Sequence, residues 1–267
     1  MIRPGEIQQK AIAIGVRDQQ IEKDYILSWI LFGIANHKEL SQVLVFKGGT
    51  VLKKVYFEDY RFSEDLDFSL LKNEISNEQI FLWFKEGFEF IQENANIPLN
   101  IIDNSVHEDG GINFYISYTG PLGGRGNNKS VKVDISRSEF VVFKPLMKSV
   151  LVSYSDLEGH QLLCYSLEEV LVEKMRSVMQ RMQARDFYDI WYLLEEQKMD
   201  AAFYLNEFSA KCKIKGLLPE NFVGKLNERL PQYKGRWSSS LSEQIRDLPP
   251  FELVEREVLR HIKALRF

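Results

Sequence analysis

Cysteine is scarce in this chain. Two occur in 267 residues, Cys164 and Cys212, far apart and in no CxxC pair. A disulfide scaffold and a thiolate zinc site are thereby excluded, and a reducing cytosol fits, so a cytoplasmic protein is expected. The four histidines (His37, His107, His160, His261) are scattered and form no HExxH. No window approaches the roughly 18 uninterrupted apolar residues of a membrane span, and MIRPGEIQQK at the start holds no apolar run of signal-peptide length. Basic charge is not in excess either: 34 Lys and Arg stand against 38 Asp and Glu, a net charge of −4. That argues against bulk coating of nucleic acid but leaves room for a local basic surface. A Walker loop, GxxxxGK[ST], is absent, as are internal repeats and low-complexity tracts.

The composition that remains is an ordinary globular one, 45% hydrophobic and 27% charged. It is long enough for one large core or two smaller ones. Periodicity divides it. Residues 6–37 read as helix, with Asp18 as an N-cap, and 43–47 as a short buried strand. A glycine pair breaks that strand, and residues 50–57 read as helix. Residues 65–70 alternate as a strand, 77–94 read as helix, and strands are expected at 98–103, 112–118, 129–136 and 149–154. GPLGGRGNN, 120–128, reads as a flexible turn. From Leu167 onward the pattern is helical, with helices expected near 166–182, 186–196, 200–211, 219–231 and 250–266. Ser166 and Glu169 make a capping box. The expected organisation is an α+β core over 1–160 followed by an all-α domain over 161–267.

The densest chemistry lies in FKGGTVLKKVYFEDYRFSEDLDFSLL, from Phe46 to Leu71. Gly48 and Gly49 stand between strand and helix. Without Cβ atoms the backbone approaches a ligand closely, and free N–H groups at a helix start attract phosphate. Asp65 and Asp67 leave one face of a strand about 6–7 Å apart. Like charges so placed repel unless a cation lies between them, and hard oxygen ligands suit Mg²⁺ held together with substrate phosphates. Asp134, in VKVDIS, shares a strand face with Lys132. If its strand neighbours 65–70, the three acids form a set that can hold two metals.

G-G-T-x-L followed by R-F-S-E-D-L-D resembles the signature of the AbiEii-type nucleotidyltransferases, toxins of type IV toxin–antitoxin and abortive phage-infection systems within the polymerase-β-like superfamily. EKDYILSWIL, from Glu22, is similar to the family's helix before the core. SLEEVLVEKMRSVMQR with Lys174, then ARDFYDIWYLL with Asp186 and Asp189, is similar to its later helical elements. The resemblance spans roughly residues 20–195. It implies a polymerase-β-like core of mixed sheet and flanking helices, followed by helices. It implies Mg²⁺ or Mn²⁺ on Asp65, Asp67 and Asp134. It implies an NTP substrate held by Gly48, Gly49, Thr50, Arg61, Ser63 and Lys174, and Asp189 beside Lys174.

Several of these residues have more than one reading. Lys174 falls on an apolar stripe, so it either snorkels, pairs with a buried acid, or meets phosphate. Asp189 either holds Lys174 or orients an acceptor, and Asp186 is also explained as a first-turn acid. Arg181 reads as a phosphate ligand or an acid's partner, and Arg185 as a partner for Asp186 or Asp189. Arg61 touches phosphate or steadies its loop. Ser63 is a turn hydrogen-bonder, and in relatives a serine here is a regulatory phosphorylation site. Seven basic residues (Lys211, Lys213, Lys215, Lys225, Arg229, Lys234, Arg236) lie among Tyr233 and Trp237. They read as an RNA-binding patch or as a solvated helix face. The expected function is Mg-dependent transfer of NMP from an NTP to an acceptor hydroxyl, on RNA such as a tRNA 3′ end, by a toxin with a cognate antitoxin. The alternatives are a nucleotide-binding module without transfer, and transfer to a protein hydroxyl.

Overall fold

The computed structural model describes residues 1–124 and 129–267. The chain forms two compact units, one of residues 1–139 and 145–164, the other of residues 140–144 and 165–267.

The first unit carries a mixed seven-stranded sheet. Its elements run α1 (Pro4–Ile14), α2 (Asp18–Asn36), α3 (Leu40–Val43), β1 (Leu44–Lys47), α4 (Gly48–Val51), β2 (Asp65–Leu70), α5 (Asn77–Ala95), β3 (Leu99–Val106), β4 (Ile112–Tyr118), β5 (Ser130–Ser136), β6 (Leu146–Ser149) and β7 (Gln161–Cys164). The strand order is β3-β4-β5-β2-β1-β7-β6. β2 runs parallel to β5 and β1 to β7, and the other neighbours are antiparallel. One sheet face is apolar. Phe46 and Phe68 pair across β1 and β2 with their rings 5.5 Å apart. Phe114 of β4 meets Phe84 of α5 edge-on at 5.0 Å. α2 packs on α5 closely enough that a Cβ on Gly33 would strike Ile91.

Several boundaries differ from the periodic reading. The helix expected over 6–37 is two helices, because Gly15 at φ 82° caps α1. Asp18 is the first residue of α2 and Arg17 precedes it as the cap. The glycine pair ends β1 and opens the helix, so the helix starts at Gly48 and not at residue 50, and it widens into a π turn over Leu52–Tyr56. The strand expected at 149–154 lies at 146–149. β7, placed beside β1, falls on residues that the sequence assigns to the all-α domain over 161–267. Of the turn expected at 120–128, residues 125–128 lie outside the described residues.

The EKDY stretch of α2 shows why this helix stands before the core, since each of its four residues holds a residue far away in the sequence. Buried Glu22 accepts from Leu122 N at 2.8 Å and pairs with Lys129 at 2.9 Å. Lys23 pairs with Glu64 at 3.0 Å. Asp24 pairs with buried Lys54 at 2.7 Å and accepts from Tyr154 at 2.7 Å. Tyr25 donates to Asp156 at 2.8 Å. Burial lowers the Lys54 pKa, and Asp24 opposes that shift. Asp24→Asn is therefore expected to cost about 3–5 kcal/mol by leaving Lys54 buried without its counter-ion. Denaturant melts check this, and Asp24→Asn/Lys54→Met is expected to recover much of the loss.

The second unit is helical: α6 (Leu167–Gln180), α7 (Ala184–Trp191) with a π turn over Tyr192–Glu196, a 3-10 turn at Ala201–Tyr204, α8 (Leu205–Ile214), α9 (Phe222–Leu241) and α10 (Phe251–Ile262). Half of the expected capping box forms. Ser166 Oγ accepts from Glu169 N, but the buried Glu169 carboxylate instead accepts from Val142 N and Phe143 N and pairs with Lys211 at 2.7 Å. That carboxylate ties residues 140–144 to this unit. Among the described residues, no helix is long and apolar enough to cross a membrane.

Candidate active site

Asp65 and Asp67 are half-buried on β2, while Leu66 and Phe68 between and beyond them are fully buried on the opposite face. β5 lies directly beside β2 and its register sets Asp134 against Asp67 and Lys132 against Asp65. Directly paired residues share a sheet face. Asp65, Asp67 and Asp134 therefore project from one face of two adjacent strands. The same register logic extends the row. Lys47 of β1 pairs with Asp67, and Asn113 of β4 pairs with Asp134. Asp134 Oδ2 lies 3.4 Å from His107 Nε2 and 3.8 Å from Lys132 Nζ. Lys47 Nζ lies 4.0 Å from Glu139.

The glycine turn closes on this row. Gly48 has φ 79°, and a Cβ there would overlap the Asp67 carboxylate. A Cβ on Gly49 would overlap the Arg61 guanidinium. A Cβ at either position would push that side chain aside, and Gly48 is also favoured by its left-handed backbone. Thr50 Oγ1 donates to the Asp65 carbonyl at 2.5 Å and accepts from buried Ser63 Oγ at 2.7 Å. Arg61 is 4% exposed, donates to Phe62 O and packs over Tyr60. These contacts hold the loop before β2 against the helix that the glycines open. Gly48→Ala is expected to displace the Asp67 carboxylate, and a misplacement of about 1 Å lowers a rate by about 10²-fold. Steady-state transfer assays on the variant check this.

The acid set fits a hard divalent cation: carboxylate oxygens share one face, beside a backbone turn able to seat phosphate. No three His, Cys, Asp or Glu side chains among the described residues are grouped closely enough to hold a metal ion alone. The donor set therefore matches an ion that takes one or two carboxylates and completes its shell with water and substrate oxygens.

In the helical unit, Lys174 is 6% exposed and pairs with Asp186 at 2.7 Å and Asp189 at 2.6 Å. Burial alone would raise the Asp186 carboxyl, but Lys174 and Arg181 outweigh it and hold the group below its ordinary range. Arg181, and not Arg185, supplies the second cation, at 2.7 Å. The basic segment differs most from expectation. Lys211 is 1% exposed and is spent on Glu169. Tyr233 is fully buried and stacks on Phe187, and Trp237 is buried too. Arg229 donates to Val178 O, Arg236 to Met182 O, and Lys234 pairs with Glu252. These side chains hold helices together, and neither aromatic offers a ring to a base.

Sequence reasoning missed Lys47, His107 and Glu139 at this face. Lys47 was visible as the strand's last residue before the glycines, but its pairing with Asp67 depends on register.

The family model described as nucleotidyl transferase AbiEii toxin, type IV toxin–antitoxin system, matches residues 29–260. No curated protein matches the chain. Among solved structures, the fold is similar to MenT4, a nucleotidyltransferase toxin from Mycobacterium tuberculosis. The TM-score is 0.61 at 17% identity, covering 100% of this chain and 91% of that one. It is also similar to JHP933 from Helicobacter pylori, with a TM-score of 0.57 at 18% identity, covering 93% of this chain and 92% of that one. A putative nucleotidyltransferase from H. pylori gives a TM-score of 0.57 at 18% identity, covering 93% of this chain and 95% of that one. At such identities the likeness is one of fold. The family match spans most of the chain: this chain belongs to the AbiEii nucleotidyltransferase toxins of type IV toxin–antitoxin systems.

Proposed function

We propose that the chain moves a nucleoside monophosphate from an NTP to a hydroxyl of RNA, with a tRNA 3′ end as the expected acceptor, on the sheet face that carries Asp65, Asp67 and Asp134. The observation that carries this reading is the row Lys47–Asp67–Asp134 ending against Gly48. It sets two carboxylates, with Asp65 two residues away on the same face, beside a backbone seat for phosphate. A module that only binds a nucleotide has less need of such a set.

On this reading, the N–H groups that follow Gly48 and Gly49 bind the triphosphate, and Thr50, Ser63 and Arg61 keep that turn in place. Asp65, Asp67 and Asp134 would hold Mg²⁺ or Mn²⁺, which would spread charge from the phosphate oxygens. The acceptor oxygen attacks the α-phosphorus in line, the bond to the β-phosphate oxygen breaks, and pyrophosphate leaves. The hydroxyl proton passes to Asp134. Catalysis of this kind is positioning and electrostatics. Lys174 and Asp189 enter through the family resemblance, which puts a lysine and an R-D-x-x-D element on these helices: Lys174 would meet phosphate charge, and Asp189 would hold it or orient the acceptor. The antitoxin partner follows from the family, and a cytoplasmic site of action from the scarcity of cysteine.

The test is incubation with each of four α-labelled NTPs, Mg²⁺ and total RNA. Label is expected in a product that RNase destroys and protease leaves. Label that survives RNase and is lost to protease would transfer the reading to a protein hydroxyl.

A further inference from the structure

Beyond the aspartates, on the same sheet face, stands an aromatic ring that the mechanism above does not use. Tyr115 of β4 is 37% exposed. Its strand partner is Lys132, whose own partner is Asp65. Two strand spacings therefore separate Tyr115 from Asp65, about 10 Å. Its neighbour in the outer direction is Asp103 of β3. Asn113, two residues before it on the same face, is paired with Asp134.

In an in-line displacement the attacking oxygen and the leaving group lie on opposite sides of the phosphorus. The glycine turn follows β1, so a triphosphate seated there leaves toward β1. The attacking hydroxyl must then arrive from the side of β5 and β4. That is where Tyr115 and Lys132 stand. A distance of about 10 Å from the metal-facing acid leaves room for a ribose and its base. Tyr233 and Trp237, buried in the helical unit, leave the acceptor without the platform that the sequence suggested there.

We propose that Tyr115 stacks a base at the 3′ end of a single-stranded RNA acceptor and that Lys132 contacts the adjoining phosphate. Stacking on an aromatic ring is sequence-tolerant because every base has a π-face. Asp103, beyond the ring, repels backbone phosphate and limits the footprint to the terminal nucleotides. This inference rests on the transfer reading for its direction of attack. A tyrosine also suits a strand for packing reasons alone, so the test separates the two roles.

The experiment measures fluorescence anisotropy of a 5′-fluorescein RNA of about twelve nucleotides with a free 3′-hydroxyl, against the full chain without NTP. Tyr115→Ala is expected to weaken binding by about tenfold to a hundredfold with an unchanged melting temperature, and Tyr115→Phe to restore it. Lys132→Ala is expected to reduce the slope of log affinity against log salt by about 0.7. In transfer assays Tyr115→Ala raises KM for RNA and leaves KM for the NTP unchanged. Equal RNA affinity of wild type and Tyr115→Ala overturns the proposal, as does a Tyr115→Phe variant that binds as poorly as Tyr115→Ala. A wild-type chain that labels protein and does not bind this RNA overturns it as well. RNA bound through Tyr115 with no nucleotide transferred by the wild type would leave this platform standing and remove the transfer reading.

Discussion

Asp65→Asn/Asp67→Asn lowers the transfer rate by about 10²–10⁴-fold while the fold survives. The expectation follows from where these carboxylates sit. Both are half-buried on β2, opposite the apolar residues that fix the strand. Asparagine keeps their volume, so the Gly48 turn still closes over residue 67. The substitution also removes a like-charge repulsion, so no stability is lost on that account. Single-turnover assays with saturating NTP, run beside thermal melts, check both halves. An unchanged rate would place the chemistry elsewhere on the molecule. A collapsed fold would make these residues structural.

Lys174→Met is expected to cost the helical unit about 3–5 kcal/mol, because buried Asp189 loses its 2.6 Å ion pair while Asp186 keeps Arg181. Such a loss is a large part of the stability of a typical domain. The cluster as it stands is balanced, with Lys174 and Arg181 against the two aspartates. Lys174→Met/Asp189→Asn removes one charge of each sign and leaves Asp186 with Arg181, so it is expected to recover most of the stability. Transfer activity then separates the two roles open for Lys174. A refolded double variant that stays inactive supports phosphate contact, and one that regains activity makes the lysine a structural ion. The pH dependence has a definite sign. The Asp186 pKa is depressed in the folded state. Its contribution is therefore fully present above the unfolded pKa of about 4 and is lost as pH falls through the folded value. Acid denaturation monitored on the helical unit, with Asp186→Asn as control, reads this out.

The two strands that matter most were legible in the sequence. Alternation in DLDFSL and in VKVDIS fixes which way each acid points, and that depends only on local backbone geometry. What joins them was not legible, because strand order and register are set by packing between segments far apart in sequence. β7 illustrates this. Gln161–Cys164 is too short to show a period, yet it pairs in parallel with β1 at the centre of the site's support. The basic segment shows the opposite failure. Its charges and rings looked like a surface, but Lys211 follows Glu169 inward and Tyr233 follows Phe187. Composition alone does not distinguish a ring offered to a ligand from a ring that closes a helix–helix contact. Lys174 kept its alternatives for the same reason: a lysine on an apolar stripe declares that it is buried, not whom it meets.

The central claim is that a metal-bound triphosphate sits between the Gly48–Gly49 turn and the aspartate row. The most direct measurement is a crystal structure with Mn²⁺ and an NTP analogue whose α–β bond cannot be cleaved. An anomalous Mn²⁺ peak is expected about 2.1 Å from carboxylate oxygens of Asp65 and Asp67, as for a hard octahedral ion, with phosphate oxygens on the N–H groups after Gly48. A peak and triphosphate bound away from both the glycine turn and these aspartates would contradict the account.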